Sequence, residues 1–334
     1  MEYRSSMFIM AKEVRMRKIL VTGALGQIGA ELVPALSARY GADAVVASDL
    51  RMLARAPDVE AGAFEHLDCT DIPAIHNLVQ RHDIGAIYHL ASLLSAVAEE
   101  KPQAAWNLNM GGLYGVLESA REHHCQVFAP SSIGAFGPST PPDLAPQVTT
   151  QRPNTIYGVT KVAGELLCDY YHSRFGVDTR GLRLPGLISH IAPPGGGTTD
   201  YAVEIFHQAA RYRHYSCFLE ADTRLDMMYM PDAIAGMIEL MEADPNRLID
   251  RNAFNVTAMN FTPDELAAEI RTHIPDFVIE YDDVDPARQA IALSWPRRID
   301  DTAAREQWGW SPKFDLAHMT RDMLDKVRAR GHGA

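Results

Sequence analysis

The chain has 334 residues, 47% hydrophobic and 22% charged, the balance of an ordinary globular enzyme with material for two domains or one large α/β unit. Its net charge of −12, from 31 basic and 43 acidic side chains, argues against nucleic acid or an anionic membrane surface as partner. No apolar run approaches the roughly 20 residues that a membrane helix needs. Four scattered cysteines, Cys69, Cys125, Cys168 and Cys217, form no Cys-x-x-Cys pair and predict free thiols in a reduced, cytoplasmic setting.

Residues 1–16 hold only a short apolar run, Met7 to Met10, and no small-residue cleavage site, so they read as an extension without a role before a fold that begins at Arg17. From Lys18 the chain alternates short β-branched runs with longer amphipathic stretches. Residues 18–23 (KILVTG) predict a buried strand, 27–41 a helix that stops at Gly41, and 44–49 (AVVASD) a second strand. Further strands are expected at 86–92, 126–132 and 177–185, and a long helix runs through Tyr157 to Tyr171. Strands separated by helices imply a doubly wound parallel sheet covered on both faces.

Beyond Pro185 the texture changes. Residues 188–202 contain two prolines and three consecutive glycines and read as a loop. A strand end and helix are expected over 228–242, an edge strand at 254–257, and a helix opened by a capping box at Thr262 and Glu265 with Pro263 at its first position. The expected division is a dinucleotide-binding domain of 17–185 with 227–260, and a smaller substrate-binding cap of 186–226 with 261–334.

Three motifs carry chemistry. Gly23-Ala-Leu-Gly26-Gln27-Ile28-Gly29 lies between a strand and a helix, and Asp49 ends the next strand twenty residues beyond Gly29. Glycines there let backbone N–H groups approach a pyrophosphate at the positive end of a helix, and Asp49 would accept from the adenosine ribose hydroxyls and repel a 2′-phosphate. That favours NAD over NADP, with Arg51 as the residue that could accommodate the phosphate instead. Tyr157 and Lys161 stand one helical turn apart. A free phenol loses its proton near pH 10, too high for a base at neutral pH, and a neighbouring cation favours the phenolate. Ser131 and Ser132 close a predicted strand, at the carboxyl end where α/β sheets place ligands.

Other signals read as ordinary structure. His123-His124-Cys125 are neighbours in a row that do not converge on one ion, so no metal is expected. Gly195–Gly197 is not followed by Gly-Lys-Ser/Thr and is no phosphate loop. Asp282, Asp283 and Asp285 read as a solvated loop, and Met227, Met228 and Met230 as packing.

Together the glycine turn, Ser132 and the Tyr157/Lys161 pair resemble the extended short-chain dehydrogenase/reductase superfamily, over the whole chain from Arg17. Within it, residues 23–32, 89–99, 130–138, 183–186, 193–204 and 294–296 look most like the short-chain-type NAD-dependent L-threonine 3-dehydrogenases. Ser132 stands where many members have threonine. The resemblance implies Tyr157 as the base that takes the substrate hydroxyl proton, Ser132 as hydrogen-bond partner to the same oxygen, and Lys161 on the nicotinamide ribose. It places Leu50 and Arg51 beside Asp49, Asp68 and Cys69 by the adenine, Leu90 and Ala91 on the pyrophosphate side, Asn109 on the cofactor's approach, and Leu184 and Leu187 against the nicotinamide. It assigns L-threonine to Ser95, Ser131, Gly186, Thr198 and Thr199 with Trp295 closing the pocket, and the triple glycine is expected to offer N–H donors to the substrate carboxylate. A homodimer is implied through two helices, roughly 103–121 and 155–175, with Leu113, Leu117, Leu166 and Tyr170 as apolar stripes. The rival is a nucleotide-sugar epimerase or dehydratase of the same superfamily, which would need basic residues in the cap for a diphosphate.

Overall fold

The computed structural model describes residues 17–52, 62–191 and 195–331. The N-terminal extension and Pro193–Pro194 of the lid segment lie outside the described residues. The central sheet has six parallel strands in the order β3-β2-β1-β4-β5-β7. They are β1 (Lys18–Thr22), β2 (Val45–Asp49), β3 (Ala63–His66), β4 (Ile84–His89), β5 (Gln126–Phe128) and β7 (Thr179–Arg180). The order reverses beside β1, which opens a crevice at the carboxyl ends of β1 and β4.

Helices α1 (Gly29–Tyr40), α2 (Ile72–Arg81), α5 (Leu113–His123) and α6 (Ile156–Phe175) flank the sheet, with the short α3 (Ser95–Glu100) and α4 (Pro102–Trp106) between β4 and α5. Helix α1 stops at Gly41, whose φ of 91° few other residues adopt. The sheet is dry on both faces. Leu20, Val46, Ile87 and Val127 pack under α2 and α5, whereas Val21, Val45, Ala47 and Phe128 pack under α1 and α8 (Met230–Glu242).

Two expected strands are each broken in two. The run 126–132 gives β5 and then β6 (Ser131–Ser132), because Ala129-Pro130 interrupts the ladder. The run 177–185 gives β7 and β8 (Leu182–Leu184), separated at Gly181, where a Cβ would lie 2.6 Å from the carbonyls of Ala129 and Asn252. Both breaks step the chain out of the main sheet into a second parallel ladder, β12-β8-β6, with β12 (Phe254–Asn255) on its edge as expected. Ser132 thereby stands level with Leu184.

A mixed ladder of β9 (Gly186–Ile188), β11 (Leu225–Tyr229) and β13 (Met259–Phe261), a small parallel pair of β10 (His214–Ser216) and β14 (Val278–Glu280), and helices α7 (Tyr201–Tyr212), α9 (Pro263–His273), α10 (Pro286–Leu293), α11 (Thr302–Trp308) and α12 (Leu316–Gly331) complete the chain. The capping box at Thr262 and Glu265 is formed. Strand β11 alternates between two cores: Met227 and Tyr229 face the one built on α7, α9 and α12, while Met228 and Met230 face the sheet core. The three methionines are fully buried, as packing residues should be. Asp285, expected in a solvated loop, caps α10 by accepting from Ala287 and Arg288 N–H.

Candidate active site

A cavity of about 210 Å³ lies at the carboxyl ends of the strands, walled by the glycine turn, the Ser131–Ser132 strand, α6, the Leu184–Leu187 segment, Gly197–Asp200 and Trp295. The glycines are there because nothing larger fits. Gly23 has φ of 68°, and a Cβ on it would come within 2.8 Å of Ala91 N. A Cβ on Gly29 would strike Gly23 O at 2.5 Å and Ala24 Cα at 2.6 Å. The turn thus leads tightly into α1 with its N-terminus open to the cavity, an anion-binding geometry. Gln27 and Ile28 line it too, and the side-chain amide nitrogen of Gln27 is buried without a partner.

Asp49, at the end of β2, accepts from Leu25 N–H at 3.0 Å and Arg51 N–H at 3.0 Å, and its carboxylate pairs with the Arg51 guanidinium at 3.1 Å. Burial pushes its carboxyl up, but the Arg51 and backbone hydrogen bonds prevail and hold it below the usual range. Arg51, weighed from sequence as a rival to Asp49, is therefore its partner, and the side chain of Leu50 points to solvent. The bond from Leu67 N–H to Asp49 O brings the segment of Asp68 and Cys69 beside β2. Asp68 binds Thr70, which lowers its carboxyl, and burial drives the Cys69 thiol up to about 12. A glycine cradle, an open helix end and an acceptor for ribose hydroxyls together fit a dinucleotide without a 2′-phosphate.

Tyr157 and Lys161 occupy the first turns of α6, whose N-cap Thr155 accepts from Gly158 N–H at 3.0 Å. Lys161 Nζ lies 5.3 Å from the centre of the Tyr157 ring and donates to Pro130 O at 2.7 Å, so the break between β5 and β6 is what anchors the ammonium. Ser132 Oγ accepts from Gly134 N–H at 3.1 Å, and Gly134 lies flat against the Tyr157 ring. The three side chains expected to act together line one cavity, with Leu90, Leu184 and Leu187 beside them.

Ser95, Gly186, Thr198, Thr199 and Trp295 also line it. Thr198 is 1% exposed and its hydroxyl has no partner, a buried polar group left for something that enters the cavity. Gly186 is forced, since a Cβ would meet Met227 Sδ at 2.4 Å and Thr199 Cγ2 at 2.8 Å.

Three expectations need correction. Ser131 borders the cavity but its hydroxyl donates to Glu165, which forms a buried ion pair with Arg183 at 2.9 Å. Asn109 lines only the smaller cavity behind Lys161 and spends its amide on Leu93 N–H and O, at 2.8 and 3.2 Å, and on Thr160. The N–H groups of Gly196 and Gly197 do not await a carboxylate from outside: both donate to Asp200, at 2.8 and 2.6 Å. Asp200, buried and held above the usual carboxyl range by that burial, is the anchor that the sequence reading missed. Its one signal was the spacing of an acid three and four residues beyond two glycines. As for metals, Cys125 turns inward to donate to Ile84 O at 3.0 Å, while His123 meets His76 and Glu122, residues the sequence did not connect with it.

The fold and site define a dinucleotide-dependent enzyme of the extended short-chain type. The chain matches the model of the NAD dependent epimerase/dehydratase family over residues 19–256 and belongs to that family. An uncharacterized epimerase/dehydratase of Staphylococcus saprophyticus is 54% identical over 315 residues, 94% of this chain and 98% of that protein. The L-threonine dehydrogenase of Clostridium difficile is 56% identical, with a TM-score of 0.92 over 95% of this chain and 99% of its own. A monomeric L-threonine 3-dehydrogenase from a metagenome is 44% identical, with a TM-score of 0.90 over 93% of this chain and 99% of its own. Among the described residues no helix is long and apolar enough to cross a membrane.

Proposed function

We propose that the chain oxidises L-threonine to 2-amino-3-ketobutyrate with NAD as acceptor. The observation that carries this reading over a nucleotide-sugar epimerase is the charge of the cavity. Among the described residues Lys161 is the only cation lining it, and Lys161 is committed to Pro130 O. A nucleoside diphosphate would meet no basic side chain there, whereas a small zwitterion needs hydroxyls such as those of Ser95, Thr198 and Thr199. NAD, when bound, accepts the hydride from the substrate's Cβ.

The residues do the rest. Tyr157 takes the proton of the β-hydroxyl as general base, with the Lys161 charge beside its ring favouring the phenolate. Ser132 donates to the same oxygen and stabilises the charge that builds on it. Thr198 and Thr199 bind the amino-acid end, and the Gly195–Thr199 segment, held in shape by Asp200, covers the substrate and excludes water. NADH formation from a panel of hydroxy amino acids tests this: L-threonine should react best and L-serine weakly, since one methyl is worth only about 1–3 kcal/mol. No NADH from L-threonine, with co-purified NAD and turnover of a UDP-sugar, would establish the epimerase reading instead.

The division into a dinucleotide domain (17–185 with 227–260) and a cap (186–226 with 261–334) belongs to this proposal, as do a cytoplasmic setting, which the four buried free thiols support, and a homodimer. Leu113 and Leu117 are buried within the subunit, so the dimer would rest on Tyr114, Leu166 and Tyr170, which stand 46%, 62% and 53% exposed on α5 and α6. The monomeric relative makes light scattering the deciding measurement, and a particle near 37 kDa, against a chain of 36.9 kDa, would refute the dimer.

A further inference from the structure

The end of the sheet opposite the cavity carries a second set of chemistry-bearing side chains. His76 projects from the middle of α2, and His123 closes α5 just before β5 begins; the two helices pack side by side. The Nε2 atoms of the two rings are 3.4 Å apart, with ring centres at 4.5 Å. Glu122 sets a carboxylate oxygen 3.5 Å from the Nδ1 of His76. One ligand atom from each of the three residues lies within 4.8 Å of the others.

At 3.4 Å the two nitrogens are farther apart than a normal N–H hydrogen bond, yet they face each other. The separation suits a shared ion: two nitrogens each about 2.0–2.1 Å from a tetrahedral zinc lie roughly 3.4 Å apart. The carboxylate at Nδ1 of His76 fixes the proton there and leaves the lone pair on Nε2, the carboxylate–histidine–metal arrangement that tunes such sites. The site is open, with the His76 side chain 31% and Glu122 65% exposed, so an ion can enter and water can fill the remaining positions. Two imidazoles select a borderline transition ion over magnesium or calcium, which prefer oxygen.

We propose that His76 and His123, with Glu122 at their side, bind one divalent transition-metal ion of the zinc class, which ties α2 to α5 on the face away from the catalytic cavity. The ion would take no part in hydride transfer. It would add stability by binding the folded chain and not the unfolded one.

Zinc chloride titrated into the chelator-treated full chain should be taken up at one ion per chain, with a melting temperature that rises to a plateau. His76→Ala and His123→Ala should each abolish both effects while leaving NAD binding and dehydrogenase activity unchanged. Glu122→Gln should weaken uptake about tenfold. Cobalt(II) in the wild type should give the visible absorption of a four-coordinate ion, a readout that stands even if a histidine variant fails to fold. No zinc uptake by the wild type, equal uptake by both histidine variants, or a cobalt spectrum of the free hydrated ion would each overturn the proposal.

Discussion

Removing the Glu165 carboxylate should cost more than any other single change near the cavity. Glu165 and Arg183 are 6% and 7% exposed, and the carboxylate accepts from Arg183 Nε at 3.0 Å, Arg183 Nη2 at 2.9 Å, Gln151 at 2.9 Å and Ser131. In Glu165→Ala the guanidinium keeps Gln147 O and Asn255 Oδ1 but loses its counter-charge. Breaking a buried pair from one side costs about 3–5 kcal/mol, because the remaining charge stays buried and unpaired. At roughly 2 °C per kcal/mol for a chain of this size, the melting temperature should fall by about 6–10 °C. Urea denaturation should show the same loss as a lower midpoint with an unchanged slope. Ser131 is paired with Arg183 across the β6–β8 ladder and adjoins Ser132, so kcat should fall along with stability. Replacing both partners by methionine should recover much of the stability, since an apolar pair leaves no charge behind. A Glu165→Ala protein within 1 kcal/mol of wild type (less than the ~1.4 kcal/mol of a tenfold change in equilibrium) would refute the argument.

Tyr157→Phe should lower kcat by at least about two orders of magnitude while NAD still binds, because only the proton-accepting oxygen is lost; near-normal turnover would remove Tyr157 from the base role. Asp49→Ala should weaken NAD binding and narrow the preference against NADP, since it deletes the ribose acceptor and frees Arg51. Titration of both dinucleotides measures this, and an unchanged ratio of affinities would refute it. Burial, and then the charge of Lys161, lower the pKa of His89 to about 4. The unfolded chain therefore takes up that proton first as pH falls, and stability present above about pH 6.5 is lost down to about pH 4, on the order of 3 kcal/mol. Asp226, pushed up to about 6 by burial, works in the opposite sense, so the comparison of His89→Gln with wild type isolates the histidine. Equal loss of stability in both proteins over that range would count against it.

The parts of the site that were legible in the sequence are those whose chemistry is local. A glycine turn between strand and helix, an acid at the next strand end and a tyrosine one turn before a lysine are each set by spacing within one or two elements. The illegible parts are long-range. Arg183 and Glu165 are 18 residues apart and meet only because β8 lies beside β6 and α6 packs over both. His76 and His123 are 47 apart and meet because α2 and α5 are neighbours on one sheet face. Pro130 did carry a readable signal, a residue that cannot donate to a ladder, and the expected strand through it was too long for that reason. The self-anchoring of the lid was hidden by a different cause: Asp200 looks like an ordinary helix-opening acid until its carboxylate is seen to accept from the glycines before it.

Residues Asn107–Gly112 wind as a π-helical turn between α4 and α5. Such a turn is equivalent to an α-helix with one residue inserted, and it swings Asn109 inward to clasp both polar groups of Leu93. The helix is therefore sensitive to length in a way that its composition does not reveal. Deleting any one residue of the segment would relax the turn to regular α geometry and rotate everything after it by about 100° about the helix axis. Leu113, Val116 and Leu117 would leave the sheet, and His123 would leave His76. Substitutions along this stretch can be absorbed one at a time, but a change of a single residue in its length would disturb the sheet core, the loop beside the cavity and the far face of the molecule together.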